Sequence, residues 1–336
     1  MTTPTPTPVL ITGCSVCHSK DRLSLCAGCK VVKYCGVVHQ REHRPSHKTI
    51  CKTIVKKTAI LVQERKETAF FNAHGGGLSA ILGSGSLVDP LLQLAQAQLQ
   101  VDTQTAVQSG LSLLLEMVDI TKDPRTGPPD LVPALFLRLG RDQEAYDFMK
   151  WWVTSPAPKG LLGPSAQPYA DSKDSKADVF EDVDFFKGKC PSLSFMVALT
   201  LLKLRLLIDL QALQRSAAIG ENVPREILDE IRSHLTSSAV SANKAVLERD
   251  DHTPDIKNLT KQVRTMYAAV QEGNSHFWPA VLHPGPNTMA WPESWNFGNK
   301  QEMQLALRYT YKAWLETPGA IEAIEELEGG KVDESQ

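Results

Sequence analysis

Between Cys14 and Cys51 the chain spaces its metal-type side chains as C-x2-C-x8-C-x2-C-x5-C-x3-H-x7-H-x3-C, that is Cys14, Cys17, Cys26, Cys29, Cys35, His39, His47 and Cys51. Six of the seven cysteines in 336 residues fall inside this run. Eight thiolate and imidazole donors suit two tetrahedral Zn²⁺ ions. A segment of roughly 40 residues cannot bury a core large enough to hold itself folded, so metal must supply what burial does not. Zinc is worth roughly 10–16 kcal/mol in peptides of this kind, enough to order the segment.

Loop length points to the pairing. Two CxxC knuckles eight residues apart are closer than the roughly 15–20 expected of a single four-cysteine site. An interleaved arrangement relieves the crowding. Cys14 and Cys17 then share one ion with Cys35 and His39, while Cys26 and Cys29 share the other with His47 and Cys51. Each ion closes a loop between distant segments and so removes more unfolded-state freedom than two sequential loops would. His47 and Cys51 stand at i and i+4, on one face of a helix that the pattern carries through Ile54, Val55 and Ile60. From Cys14 to Lys57 there are ten Lys and Arg against Asp21 and Glu42. With −1 on each metallated three-thiolate site, the module carries about +6. A basic knob on a chain of net charge −2 hints at an acidic or nucleic-acid partner, though solvation of a small domain is the simpler account.

Tyr34-Cys35, His39-Gln40 and Pro45-Ser46-His47-Lys48 ahead of Cys51 make residues 14–51 similar to MYND-type zinc fingers. His39 departs by standing where the family usually has Cys, an exchange that zinc tolerates. The resemblance implies a protein-interaction module, with a shallow groove that in several members takes short proline-containing peptides. Gln40 matches the groove's glutamine. Arg44 stands where the family commonly has Trp, and a guanidinium stacks on proline more weakly than an indole. One alternative stays open, because His43 lies midway between His39 and His47, where the HIT class of finger places a ligand. That reading would require Cys at position 47 and would leave Cys51 unused. A RING arrangement fails on the order of Cys and His. Otherwise His18 and His43 read as solvated surface residues.

The rest of the chain reads as mainly α, an all-helical body with a TPR-like, solenoid character. Residues 1–12 are a disordered Thr/Pro tail, 13–55 the finger, 56–89 a helix and Gly/Ser linker, 90–326 the helical domain with a long loop at 154–192, and 327–336 an acidic tail. The linker's GSGS lacks a following Gly-Lys-Ser/Thr, so no phosphate cradle is built there. Helical periodicity marks segments beginning at Leu91 and spanning Ala106–Ile120, Ser192–Leu213, Pro224–Glu248, Pro254–Gln271 and Lys300–Glu316, with a short helix after Pro318. In DLVPALFLRLGRDQEAYDFMKWWV, the order L-G-x4-A-x2-F resembles the corner of a tetratricopeptide repeat, with Gly140 at the turn and Ala145 at the close approach. The LVPALFLRLGRDQ stretch also resembles fungal proteins that carry a MYND finger. Trp151 and Trp152 read as core, and the loop with Phe277, Trp278, Trp291 and Trp295 as packing back on the domain. The acidic residues Asp171, Asp174, Asp178, Glu181, Asp182 and Asp184 lack an oriented His and read as a solvated loop. Cys190 reads as a bystander.

No GxSxG, HExxH or Walker sequence occurs. Some MYND proteins are lysine methyltransferases, but their SET domain needs β-rich sequence around the finger and an Asn-His-x-Cys motif, neither of which is found. The expectation is a non-catalytic adaptor that binds other proteins, proline-containing peptides among them, in transcriptional or developmental regulation. Binding of nucleic acid through the basic finger is the alternative. Cysteines at metal spacing fit a reducing compartment. No apolar run suits a signal peptide or a bilayer span, so an intracellular protein of nucleus or cytoplasm, without a membrane partner, is expected.

Overall fold

The computed structural model describes residues 10–74, 87–121, 129–155, 169, 176–186, 192–219, 234–286 and 288–333. They are overwhelmingly helical and divide into two compact units. The first comprises Val9–Leu135 with Ser155–Ser172, and the second Phe136–Thr154 with Lys173–Gln336. Cys190 and most of the Gly/Ser stretch lie outside the described residues.

The first unit begins with the finger. Strands β1 (Ser24–Leu25) and β2 (Lys33–Tyr34) pair antiparallel, Ser24 opposite Tyr34. Helix α1 (Val37–His74) follows at once. Its 38 residues span about 57 Å, so it starts earlier and runs much further than the periodicity predicts. Pro45 lies inside it and removes one helical hydrogen bond. Ligands His39 and His47, on either side of the proline, tie both halves to the finger. Beyond the finger, Ile54, Leu61 and Thr68 form a buried stripe, and this half packs on α2 (Val88–Gln98). Helix α2 folds back against α3 (Gln104–Thr121), joining Leu91, Leu94 and Ala95 to Val107, Leu111 and Leu114 in one apolar core.

Thr103 seats the finger on this helical pair. Its hydroxyl donates to the Val31 carbonyl at 2.5 Å and accepts from the Ala106 N–H at 3.2 Å, so one buried side chain both caps α3 and clamps the finger. Ile11 adds a parallel bridge, donating to Asp102 O and accepting from Gln104 N–H.

Helix α4 (Val132–Arg138) ends in the second unit, where it meets α5 (Asp142–Thr154) at a corner made by Gly140, whose φ of +67° places it in the left-handed region. The centre is α6 (Leu193–Ile219), covered by α9 (Thr253–Gly273), α11 (Lys300–Leu315), α5 and α12 (Ala320–Asp333). Leu199, Leu201, Leu202, Leu206 and Leu210 of α6 are wholly buried, consistent with its nearly continuous apolar sequence. Three charged residues are buried with them. Lys203 donates to Val179 O (2.6 Å) and Glu181 O (2.8 Å) and lies over the Tyr146 ring. Arg205 donates to Leu137 O and Thr236 O, and Asp209 accepts from Thr236 and Ser237 N–H. Each charge is matched by backbone groups more than twenty residues away in the chain.

Four expectations are corrected. The acidic stretch is not merely solvated, because Val179, Val183 and Phe186 are buried and Glu181 accepts from Tyr146 Oη and Lys150 Nζ. The described part of the expected Pro224–Glu248 helix is two single turns, α7 (Ser238–Ser241) and α8 (Lys244–Leu247), because Ser237 and Asn243 turn their side chains onto backbone N–H groups and restart the helix. Phe277 and Trp278 lie in the short helix α10 (Phe277–Leu282) and are fully buried, whereas Trp291 and Trp295 are exposed. Finally, α12 is a 14-residue helix reaching Asp333, so most of the expected acidic tail is helical.

Candidate metal centres in the finger

Each knuckle is a tight turn whose following residue has positive φ: His18 at 58° after Cys17, and Lys30 at 61° after Cys29. His18 N–H donates to Cys14 O and Lys30 N–H to Cys26 O, so each turn closes on its first cysteine. At Gly13 a Cβ would lie 2.4 Å from His18 O and 2.5 Å from Ser19 O, so only glycine lets the chain enter the first knuckle.

The ligand atoms gather into two groups, each with all four atoms within 4.8 Å of one another. In the first, Cys14 Sγ lies 3.6 Å from His39 Nδ1, Cys35 Sγ 3.0 Å from the same nitrogen, and Cys17 Sγ 3.6 Å from Cys35 Sγ. In the second, Cys26 Sγ lies 3.8 Å from Cys51 Sγ and Cys29 Sγ 3.3 Å from His47 Nε2. A zinc tetrahedron built from Zn–S and Zn–N bonds of normal length has edges of about 3.5–3.8 Å. Most of these distances match it, and those to the histidines from Cys35 and Cys29 are a few tenths of an ångström shorter. The donors are three thiolates and one imidazole in each group, so the finger carries two Cys3His zinc sites. When bound, zinc supplies cross-links between distant segments.

Electrostatics within the groups explains why a cation belongs there. Burial pushes the Cys29 thiol up to about 12, with the neighbouring Cys26 and Cys51 thiolates adding to the effect. Cys35 rises to about 11, chiefly through its contact with Cys17. Cys14 goes the other way. Burial opposes its ionisation, but N–H groups of Cys17, Cys35 and Val16 outweigh it and bring the thiol to about 6. Such crowded sulfurs cannot all ionise without a divalent cation to offset their repulsion. Burial also lowers the His47 pKa, helped by the nearby His43 and Arg44 charges, which favours the neutral imidazole that ligates metal.

The two sites differ in exposure. All four ligands of the second are buried, whereas in the first Cys14 is buried, Cys35 and His39 are partly exposed, and Cys17 is exposed. His43 belongs to neither group. It stacks on His47 at 5.3 Å and its Nδ1 lies 3.0 Å from Tyr34 Oη, so it buttresses a ligand without being one. Gln40 is half-buried and the exposed Arg44 lies one turn further along α1. Neither lines the small cleft of about 210 Å³ between finger and α2–α3 turn, which is bounded by Ile11, Ser15, Val32, His43, Ile50 and Thr103. Thr103, lying 52 residues beyond Cys51, has no signal in the sequence that would tie it to the finger. The apolar Val31 and Val32 between knuckle and strand are the nearest hint that this side is covered.

Comparison with known proteins agrees with this geometry. The family model of the MYND finger matches residues 14–51. The segment is therefore a MYND finger, a zinc-binding protein-interaction module. A protein of Dictyostelium discoideum described as "Rho GTPase-activating protein gacZ" is 36% identical over 53 residues, which is 16% of this chain and 5% of that protein. No solved structure matches. These matches identify no catalytic domain. Among the described residues, no helix is long and apolar enough to cross a membrane.

Proposed function

We propose that this chain is a zinc-dependent, non-catalytic adaptor whose finger docks segments of other proteins and whose helical body offers a second peptide-binding surface. The observation that carries the reading is the MYND match coinciding with two complete four-ligand clusters. On the finger, Gln40 and Arg44 form the contact, both reached from the same side of α1. Arg44 lays its guanidinium plane on a proline ring of the bound segment, a stacked and charge-bearing contact in place of an aromatic floor. The likeness to the GTPase-activating protein covers 5% of that protein and supports the finger alone.

The test is an affinity capture with the full chain against its double variant Gln40→Ala, Arg44→Glu. Loss of protein partners with zinc content unchanged supports the adaptor, and unchanged capture refutes this face as the contact. The ten Lys and Arg of the finger favour a second reading, in which it holds nucleic acid. That reading requires binding that falls steeply with salt, about 0.9 log units of affinity per log unit of salt for each phosphate neutralised.

A further inference from the structure

The unequal burial of the two zinc sites has chemical consequences for their sulfurs. A thiolate reacts with an oxidant only where the oxidant can reach it. Of the six finger cysteines, only Cys17 is exposed, and its Sγ lies 3.6 Å from that of the partly exposed Cys35. Cys26, Cys29 and Cys51 are each 5% exposed or less and Cys14 not at all. Both members of the close pair belong to the same ion.

We propose that Cys17 and Cys35 are a peroxide-sensitive pair, whose conversion to a disulfide unloads the outer zinc site while the buried site keeps its ion. The Cys17 thiolate attacks the peroxide, the O–O bond breaks, and Cys17 becomes a sulfenic acid as hydroxide leaves. The Cys35 thiolate then attacks the Cys17 sulfur, the S–S bond forms, and a second hydroxide departs. Two protons from solvent convert both hydroxides to water, so two electrons pass from the two sulfurs to one hydrogen peroxide. Cys14 and His39 remain as donors, too few for a closed structural site. The knuckle from Gly13 to His18 stays tethered to Cys35 by the disulfide, while His39, in the first turn of α1 and next to Gln40, loses its link through the metal to the knuckle. The inference needs zinc binding but not the adaptor reading, so it can fail or stand independently.

The test uses the full chain loaded with two zinc ions, titrated with hydrogen peroxide in the presence of a zinc-binding dye, followed by peptide mapping without reduction. The expected result is a fast release of one zinc per chain, with Cys17 joined to Cys35 and the second ion retained. Reduction and added zinc should restore the original content. Concurrent release of both ions, oxidation of Cys26, Cys29 or Cys51 ahead of Cys17, or zinc loss without the Cys17–Cys35 link would overturn the proposal. A Cys17→His variant keeps a ligating nitrogen that peroxide does not oxidise, and its release should slow on the order of tenfold or more. The wild-type peptide map decides the matter whether or not that variant loads both ions.

Discussion

Single residues in the finger carry unusual weight because the first knuckle packs backbone against backbone. Replacing Gly13 by Ala sets a methyl 2.4 and 2.5 Å from two carbonyl oxygens, which cannot yield as a flexible side chain would. Gly13→Ala is expected to weaken the outer zinc site by on the order of tenfold, read by competition with a chelator, with the buried site little changed. Lys203 makes a different prediction. Burial lowers its pKa to about 8, against the pull of Glu181 and Asp178, so the folded state disfavours the charged form. Between pH 8 and the usual lysine value the unfolded chain holds a proton that the folded chain has shed, and stability therefore rises with pH across that window. Denaturant unfolding of wild type should show the rise, and Lys203→Met should lack it. The sequence marks Lys203 only as a charge in an apolar helix. That the 177–186 segment supplies two carbonyls for it depends on residues over twenty positions away, beyond the reach of periodicity.

At the scale of elements, the joints are more informative than the helices. Thr103→Val removes both the cap on α3 and the bond to Val31, two buried hydrogen bonds served by one hydroxyl. A loss of about 1–3 kcal/mol is expected by thermal unfolding of the zinc-loaded protein, and Thr103→Ser should recover most of it. At the α4–α5 corner no atom lies within 4 Å of where a Gly140 Cβ would stand, so Gly140→Ala tests backbone strain alone. It should cost about 1–2 kcal/mol, and Gly140→Asn less. The Gly140 corner is legible because glycine punctuates an otherwise continuous apolar pattern. The Thr103 joint is not, since threonine after Asp102 looks like any helix start. The length of α1 is masked for a related reason. Its finger half answers to metal and its distal half to α2, so no single apolar stripe runs through all 38 residues.

For the whole molecule, the expected dependence on metal is uneven. The cysteines and histidines that hold zinc all lie in the first unit, and the core around α6 is built from aliphatic and aromatic side chains. Removing zinc with a strong chelator should unfold residues 13–51, seen as new protease cleavage there, while the near-ultraviolet signal of buried Trp278 and Trp314 is retained. Loss of that signal along with the finger would show that the helical body also depends on metal.

Spacing alone determined that this chain binds two zinc ions and that a mainly helical body follows, because ligand intervals and apolar periods are local properties that any one segment displays. Tertiary structure decided which sulfur meets solvent, that Thr103 holds the finger to its helices, that His43 supports rather than ligates, and where the buried charges of α6 find their partners. Those outcomes depend on which distant segments meet and on how much water is excluded between them, quantities set only once the chain has closed on itself.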